Sequence, residues 1–338
     1  MARRPILKNI TNLKAYNSQK QNISSLKNNN LEDNSSIEEV EEEIYGYKIS
    51  EIDAEHVNLL KIIQIDDINT PTMHYFYQQD LLNDFYLREK KYLPNRKYLK
   101  HQTQINGSHR QKLIDWLVDI NYKLNFSNET LFMCVNLIDR FLSKKCVSLA
   151  KFKLFGITSL FICSKYEEIH FPPIKNYLET LQLENVTADD IINSERYIIK
   201  VLDYDLMYVQ PLAFLRYITK CNNYETRTRL LAKYFMEITL VHEEFIGVKG
   251  SAIAAAAFSL SCKILQKKSD LLKYFVKNKP EEVEKVTQLL LFVIINKDVT
   301  PCLKNKYTNV KAMDVSNFLN RYIQKYKERK DKVFNLDQ

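Results

Sequence analysis

The sequence predicts an all-α protein, with two tandem five-helix units preceded by an N-terminal helix and a disordered tail. Glycine and proline are scarce, at 5 and 8 of 338 residues, so the tight turns of a β-rich fold have little raw material. From Thr70 onward, aliphatic and aromatic residues recur at helical spacing. Two segments, "KFKLFGITSLFICSKYEE" and "GSAIAAAAFSLSCKILQ", gather small residues on one helical face: Gly156, Ser159 and Cys163 in the first, Ala252, Ala255 and Ser259 in the second. A helix with a small face and large apolar neighbours is built to be closely surrounded by other helices. Each is preceded by an amphipathic segment, "LFMCVNLIDRFL" and "LLAKYFMEITLV". The simplest reading is one five-helix unit used twice; the alternative is a single irregular helical domain.

In chain order, residues 1–36 are rich in Asn, Ser, Gln and Lys with scattered single aliphatics, and cannot bury enough apolar surface to offset their ordering entropy. An acidic stretch, "EEVEEE", follows at 38–43. Residues 1–69 are expected to form a disordered regulatory tail with an acidic linker. Pro71 and Pro94 bracket one helix, which with a connector occupies 70–106. Five helical segments are expected at 108–123, 128–144, 149–166, 171–182 and 187–202. The second starts at Ser127 and Asn128 and carries Leu131, Val135, Ile138 and Leu142 on one face. The fifth starts "TADD", where Thr187 can cap and Asp190 sits three residues on. These give a first unit over 107–207, a second over 208–325 and a tail over 326–338.

The 49 basic and 41 acidic residues are interleaved, for a formal net charge of +8, so nucleic-acid binding is possible but not demanded. Six cysteines, Cys134, Cys146, Cys163, Cys221, Cys262 and Cys302, lie scattered without a C-x-x-C pair, as expected for reduced thiols of an intracellular protein. No N-terminal apolar run resembles a signal peptide, and no stretch reaches the roughly 18 apolar residues of a membrane span.

Two charges sit where apolar residues should. Leu113, Leu117 and Ile120 form one stripe in "HRQKLIDWLVDIN", and Arg110 lies on it; Asp139 is equally out of place between Val135 and Leu142. Opposite charges on the buried faces of adjacent helices point to a buried ion pair, unless each reaches water near a helix end.

"RQKLIDWLVDI", "VNLIDRFLS", "SKYEEIHFPP" and "SERYIIKVLDYDL", in this order and spacing, closely resemble the cyclin box. The later "LAKYFMEITL" and "SAIAAAAFSLSCKIL" look like the C-terminal cyclin fold of B-type (G2/mitotic) cyclins. The resemblance spans about 70–325 and implies a non-catalytic subunit that binds and activates a cyclin-dependent kinase of the mitotic type, with no cofactor of its own. It implies roles residue by residue. Arg110 and Asp139 match the pair tying the first two helices together. Lys165 and Glu195 match the polar residues that grip the kinase, and Tyr204 matches an aromatic position at the same interface, usually Phe in relatives. Taken alone, Lys165 reads as a cation at a helix C-terminus and Glu195 as an anion in the first turns of its helix.

The resemblance also implies a docking patch for substrate and inhibitor proteins. Leu113, Trp116 and Asp119 match it, but His109, Lys112 and Lys153 stand where Met, Ile and Gln are usual. Docking of ordinary R-x-L motifs is therefore expected to be weak or altered, since the two added lysines repel the motif's arginine.

The skeleton R-x-x-L occurs from Arg4, Arg96, Arg110 and Arg227. Only the first, "RPILKNITN", continues with Ile10 and Asn12 and lies in a segment expected to be disordered. Ahead of a cyclin box, Arg4, Leu7, Ile10 and Asn12 look like a destruction box that presents the chain to an anaphase-type ubiquitin ligase, with Lys8, Lys14, Lys20 and Lys27 as candidate acceptors. Localisation to nucleus and cytoplasm is what the family implies. A competing class is a cyclin-fold transcription factor similar to transcription factor IIB, which binds DNA and polymerase, but its usual zinc ribbon has no Cys/His cluster here. An enzyme using Cys163 and His170 lacks an orienting acid and a Gly-rich phosphate loop. The expected partners thus exclude nucleic acid and membrane.

Overall fold

Both small-faced segments form central helices. The computed structural model describes residues 43–44, 47–69, 77–181, 186–308 and 313–334. Two helices, α1 (Ala54–Asn69) and α2 (Gln78–Glu89), precede the first unit. That unit comprises α3 (Gly107–Lys123), α4 (Asn128–Leu142), α5 (Phe152–Glu167), α6 (Ile174–Leu181) and α7 (Ala188–Val201). The second comprises α8 (Pro211–Ile218), α9 (Thr226–Val241), α10 (Gly250–Leu265), α11 (Leu272–Phe275) and α12 (Pro280–Asn296). Two further helices, α13 (Pro301–Lys306) and α14 (Val315–Phe334), return along α3 and α9 respectively.

In the first unit α5 packs on α3, α4 and α7, with Ile157, Leu160 and Cys163 fully buried. Gly156 is required by a close approach. A Cβ there would lie 2.7 Å from Leu113 Cδ1, so even alanine would force the Leu113 side chain to shift. In the second unit α10 packs on α8, α9 and α12, and Ala252 and Ala254 to Ala257 are all fully buried. The caps form as read: Ser127 Oγ accepts from Thr130 N, and Thr187 and Asp190 close a capping box.

The two units share apolar surface. One face of α3 and α4 fills the first core through Leu117, Cys134 and Ile138. The other, through Ile114, Val118, Leu131 and Val135, belongs to the core of the second unit.

Two boundaries differ from expectation. Residues 54–69, expected within the disordered tail, fold as α1. Leu60 and Ile52 join Tyr217, Leu271 and Phe275 in a third apolar cluster, and Asp67 forms a buried ion pair with Lys220, at 2.5 Å, in the second unit. Asp53 pairs with Lys273, and its N–H donates to Tyr274 Oη at 3.1 Å. The segment "AEHVNLLKIIQIDDIN" carries aliphatics on every side of a helix, so no periodic stripe marks it. Beyond Tyr326, α14 continues to Phe334 through most of the expected C-terminal tail, as its run of good helix formers permits. Arg4, Leu7, Ile10 and Asn12 lie outside the described residues.

Candidate functional site

Arg110 and Asp139 meet in a bidentate pair. Arg110 Nε donates to Asp139 Oδ1 at 2.8 Å and Nη2 to Oδ2 at 2.7 Å, with Arg110 only 2% exposed. The Tyr98 hydroxyl donates to Asp139 Oδ1 at 2.7 Å. Arg110 Nη1 reaches across to the Leu240 carbonyl at 3.0 Å, at the C-terminal end of α9, where orphan carbonyls favour a cation. The pair therefore ties α3 to α4 and both to the second unit, a second tie that sequence reasoning missed.

Lys165, in the last turn of α5, forms an ion pair with Glu195 of α7, and its Nζ lies 4.5 Å from the Phe161 ring centroid. The end of α5 is fixed by Glu168, three residues on. Glu168 accepts from Ser127 N at 2.7 Å and Ser127 Oγ at 2.9 Å, and from the Thr130 hydroxyl, at the start of α4.

Tyr204 is 75% exposed, on a turn where Asp203 and Tyr204 take φ of 56° and 58°. Left-handed backbone at two consecutive non-glycine residues is held only by surrounding structure. Here Tyr204 N donates to the Ile199 carbonyl at 3.0 Å. Arg140 Nη2 donates to the Asp205 carbonyl at 2.8 Å, Lys91 pairs with Asp205 at 2.7 Å, and Lys144 with Asp203 at 2.9 Å. A solvated aromatic ring is thus held on a clamped backbone. Tyr166, Ile169 and Phe171 are also exposed, Ile169 at 91%. Ile169 and Phe171 lie within the quoted motif "SKYEEIHFPP", yet periodicity gave them no role, since they follow the helix instead of lying on it.

The expected docking patch is only partly on the surface. Lys112 and Lys153 are exposed, and Trp116 is half-buried against the first core. Asp119 is paired with Lys123 at 2.7 Å, so its charge is already partly answered. His109 closes the cap of α3, its Nδ1 accepting from Asn106 N at 3.3 Å. Leu113 departs from expectation. At 4% exposure it packs under Gly156, on the stripe it shares with Leu117 and Ile120, and presents almost no surface of its own.

The family model for the cyclin N-terminal domain matches residues 80–207, and that for the C-terminal domain matches 209–321. The chain belongs to the cyclin family. It is 34% identical over 268 residues to the G2/mitotic-specific cyclin-B of Emericella nidulans, covering 78% of this chain and 55% of that one. It is 42% identical over 201 residues to the G2/mitotic-specific cyclin cig1 of Schizosaccharomyces pombe, covering 59% of this chain and 48% of the relative. The chain thus spans about half the length of these curated relatives. Among solved structures, a viral cyclin from herpesvirus saimiri superposes with a TM-score of 0.55 at 17% identity, covering 62% of this chain and 96% of that one. That likeness shows the shared cyclin fold. The tandem units of this chain are accordingly the two cyclin folds, with α1 and α2 placed before them.

Proposed function

We propose that this cyclin is a non-catalytic regulatory subunit that binds and activates a cyclin-dependent kinase of the mitotic type, in nucleus and cytoplasm. The observation that carries the reading is the Lys165–Glu195 pair, set at the end of α5, with exposed rings at Tyr166 and Phe171 close after it in the chain and at Tyr204. An active kinase needs its C-helix glutamate paired with its strand lysine. A rigid helical partner that binds that arrangement better than the inactive one shifts the kinase toward it without doing chemistry. Names among the relatives, all G2/mitotic-specific cyclins, support the mitotic assignment. Arg4, Leu7, Ile10 and Asn12 would serve as the degron that an anaphase-type ubiquitin ligase reads.

The pair is partly buried, at 33% and 14% side-chain exposure, but removing both charges together leaves neither unpaired, so its loss costs the fold little, about 1 kcal/mol. Lys165→Ala with Glu195→Ala is therefore expected to leave the unfolding midpoint nearly unchanged while weakening kinase binding by roughly 100-fold, about 2.7 kcal/mol. Calorimetric titration of the kinase with both proteins checks this. Equal affinity of the double variant and the parent chain would refute the interface.

A further inference from the structure

Between the two cyclin folds lies a cleft of about 460 Å³, lined by α2, the facing ends of α4 and α5, the 207–210 connection and α8. Its floor is apolar, with Leu81, Leu82 and Phe85 of α2 and Leu212 of α8. Set into it are polar groups that the fold leaves unanswered. Gln78 is buried, 8% exposed, and its Oε1 has no hydrogen-bond partner among the described residues; the same holds for Gln210 Oε1. Both glutamines line the cleft. A buried carbonyl without a donor carries a desolvation cost that the protein alone does not offset.

Two carboxylates complete the set. Glu129 stands in the first turn of α4 and Glu167 in the last turn of α5, and both line the cleft. Neither makes a hydrogen bond or an ion pair among the described residues. Burial, then the like charges of Glu129 and Glu168, raises the pKa of Glu167, so nothing nearby compensates it. The cations of the cleft, Arg216 and Lys220, come from the second fold, and Lys220 is already committed to Asp67. The wall contributed by the first fold is thus short of positive charge and of hydrogen-bond donors.

We infer that this cleft receives an arginine side chain of the bound kinase, its guanidinium answering Glu129, Glu167 and the carbonyls of Gln78 and Gln210. Arginine supplies five donors in a planar fork and an aliphatic stem for the apolar floor. The kinase is the source because the cleft adjoins the residues assigned to it: Glu167 ends the same helix two residues after Lys165, and Met207 of the cleft lies three residues beyond Tyr204. The inference rests on the kinase-subunit reading.

The test uses the full chain and purified kinase, with affinity measured from about 0.05 to 0.5 M salt, a range over which screening removes exposed charge attraction. Glu129→Gln with Glu167→Gln is expected to bind at least ten-fold more weakly at low salt, and to lose much of the parent's salt dependence. Gln78→Leu removes an orphan acceptor, so it should fold at least as stably as the parent yet bind several-fold more weakly. A merely structural glutamine would leave kinase affinity unchanged. Parent-like affinity and salt dependence in both variants, with binding still lost in Lys165→Ala/Glu195→Ala, overturns the cleft and leaves the kinase reading standing. Failure of the parent chain to bind kinase overturns both.

Discussion

Replacing Arg110 by alanine is expected to destabilise the protein by about 3–5 kcal/mol, because it leaves the Asp139 carboxylate buried and unpaired. Asp139 is almost fully enclosed, and it would keep only the Tyr98 hydroxyl as donor. The Leu240 carbonyl at the end of α9 would lose its donor as well. Both cyclin folds should therefore weaken in one transition, since the guanidinium touches α4 and α9 together. Urea unfolding followed by far-UV circular dichroism and by Trp116 fluorescence checks this, with coincident midpoints expected from the two probes. An apolar replacement of both partners, Arg110→Met with Asp139→Leu, is expected to recover much of the loss, because removing a buried pair costs less than breaking one. A cost below about 1 kcal/mol for Arg110→Ala, the value of a surface pair, would contradict the geometry.

The second large effect concerns α1. Lys220 and Asp67 are almost fully buried. Burial pushes the Lys220 pKa down, and Asp67 draws it back up. Asp67→Ala removes that compensation, and breaking one side of a buried ion pair costs up to about 3–5 kcal/mol if α1 stays in place. The helix has a cheaper escape, which is to leave the second fold. The expected result is fast amide exchange across residues 56–67 while the α10 amides stay protected. Asp67→Leu with Lys220→Met is expected to keep α1 docked and its amides slow. Unchanged protection of α1 in Asp67→Ala would show that the apolar contacts of Leu60 and Ile52, with the Asp53–Lys273 pair, hold it. Undocking would also expose the buried Leu60, adding to Leu59, Ile62 and Ile65, which already face solvent.

Much of the fold was legible because its signals are local. The small faces of α5 and α10, the caps at Ser127 and Thr187, and the prolines around α2 each report on a few neighbouring residues. Arg110 and Asp139 were legible for another reason, a charge on an apolar stripe having few places to go. What Arg110 does beyond α4 was not legible, because Leu240 contributes only a backbone carbonyl, which no side-chain pattern marks. The helix α1 escaped notice since a stretch apolar on all sides shows no period. Leu113 is instructive in the opposite direction. Its place on the stripe with Leu117 and Ile120 already put it inside, and the family likeness drew it to the surface. The cleft near Gln78 joins four elements far apart in the chain, and its unanswered carbonyls exist only once those elements are packed.

The most direct measurement mixes the full chain with a purified, monomeric and inactive mitotic cyclin-dependent kinase and follows phosphorylation of a histone-type peptide. Saturable activation at one cyclin per kinase, shifted roughly 100-fold to higher cyclin concentration when Lys165 and Glu195 are both alanine, is the expected result. No activation by a folded chain, with a kinase that responds to another cyclin, would contradict the assignment of Lys165, Glu195 and Tyr204 to a kinase interface.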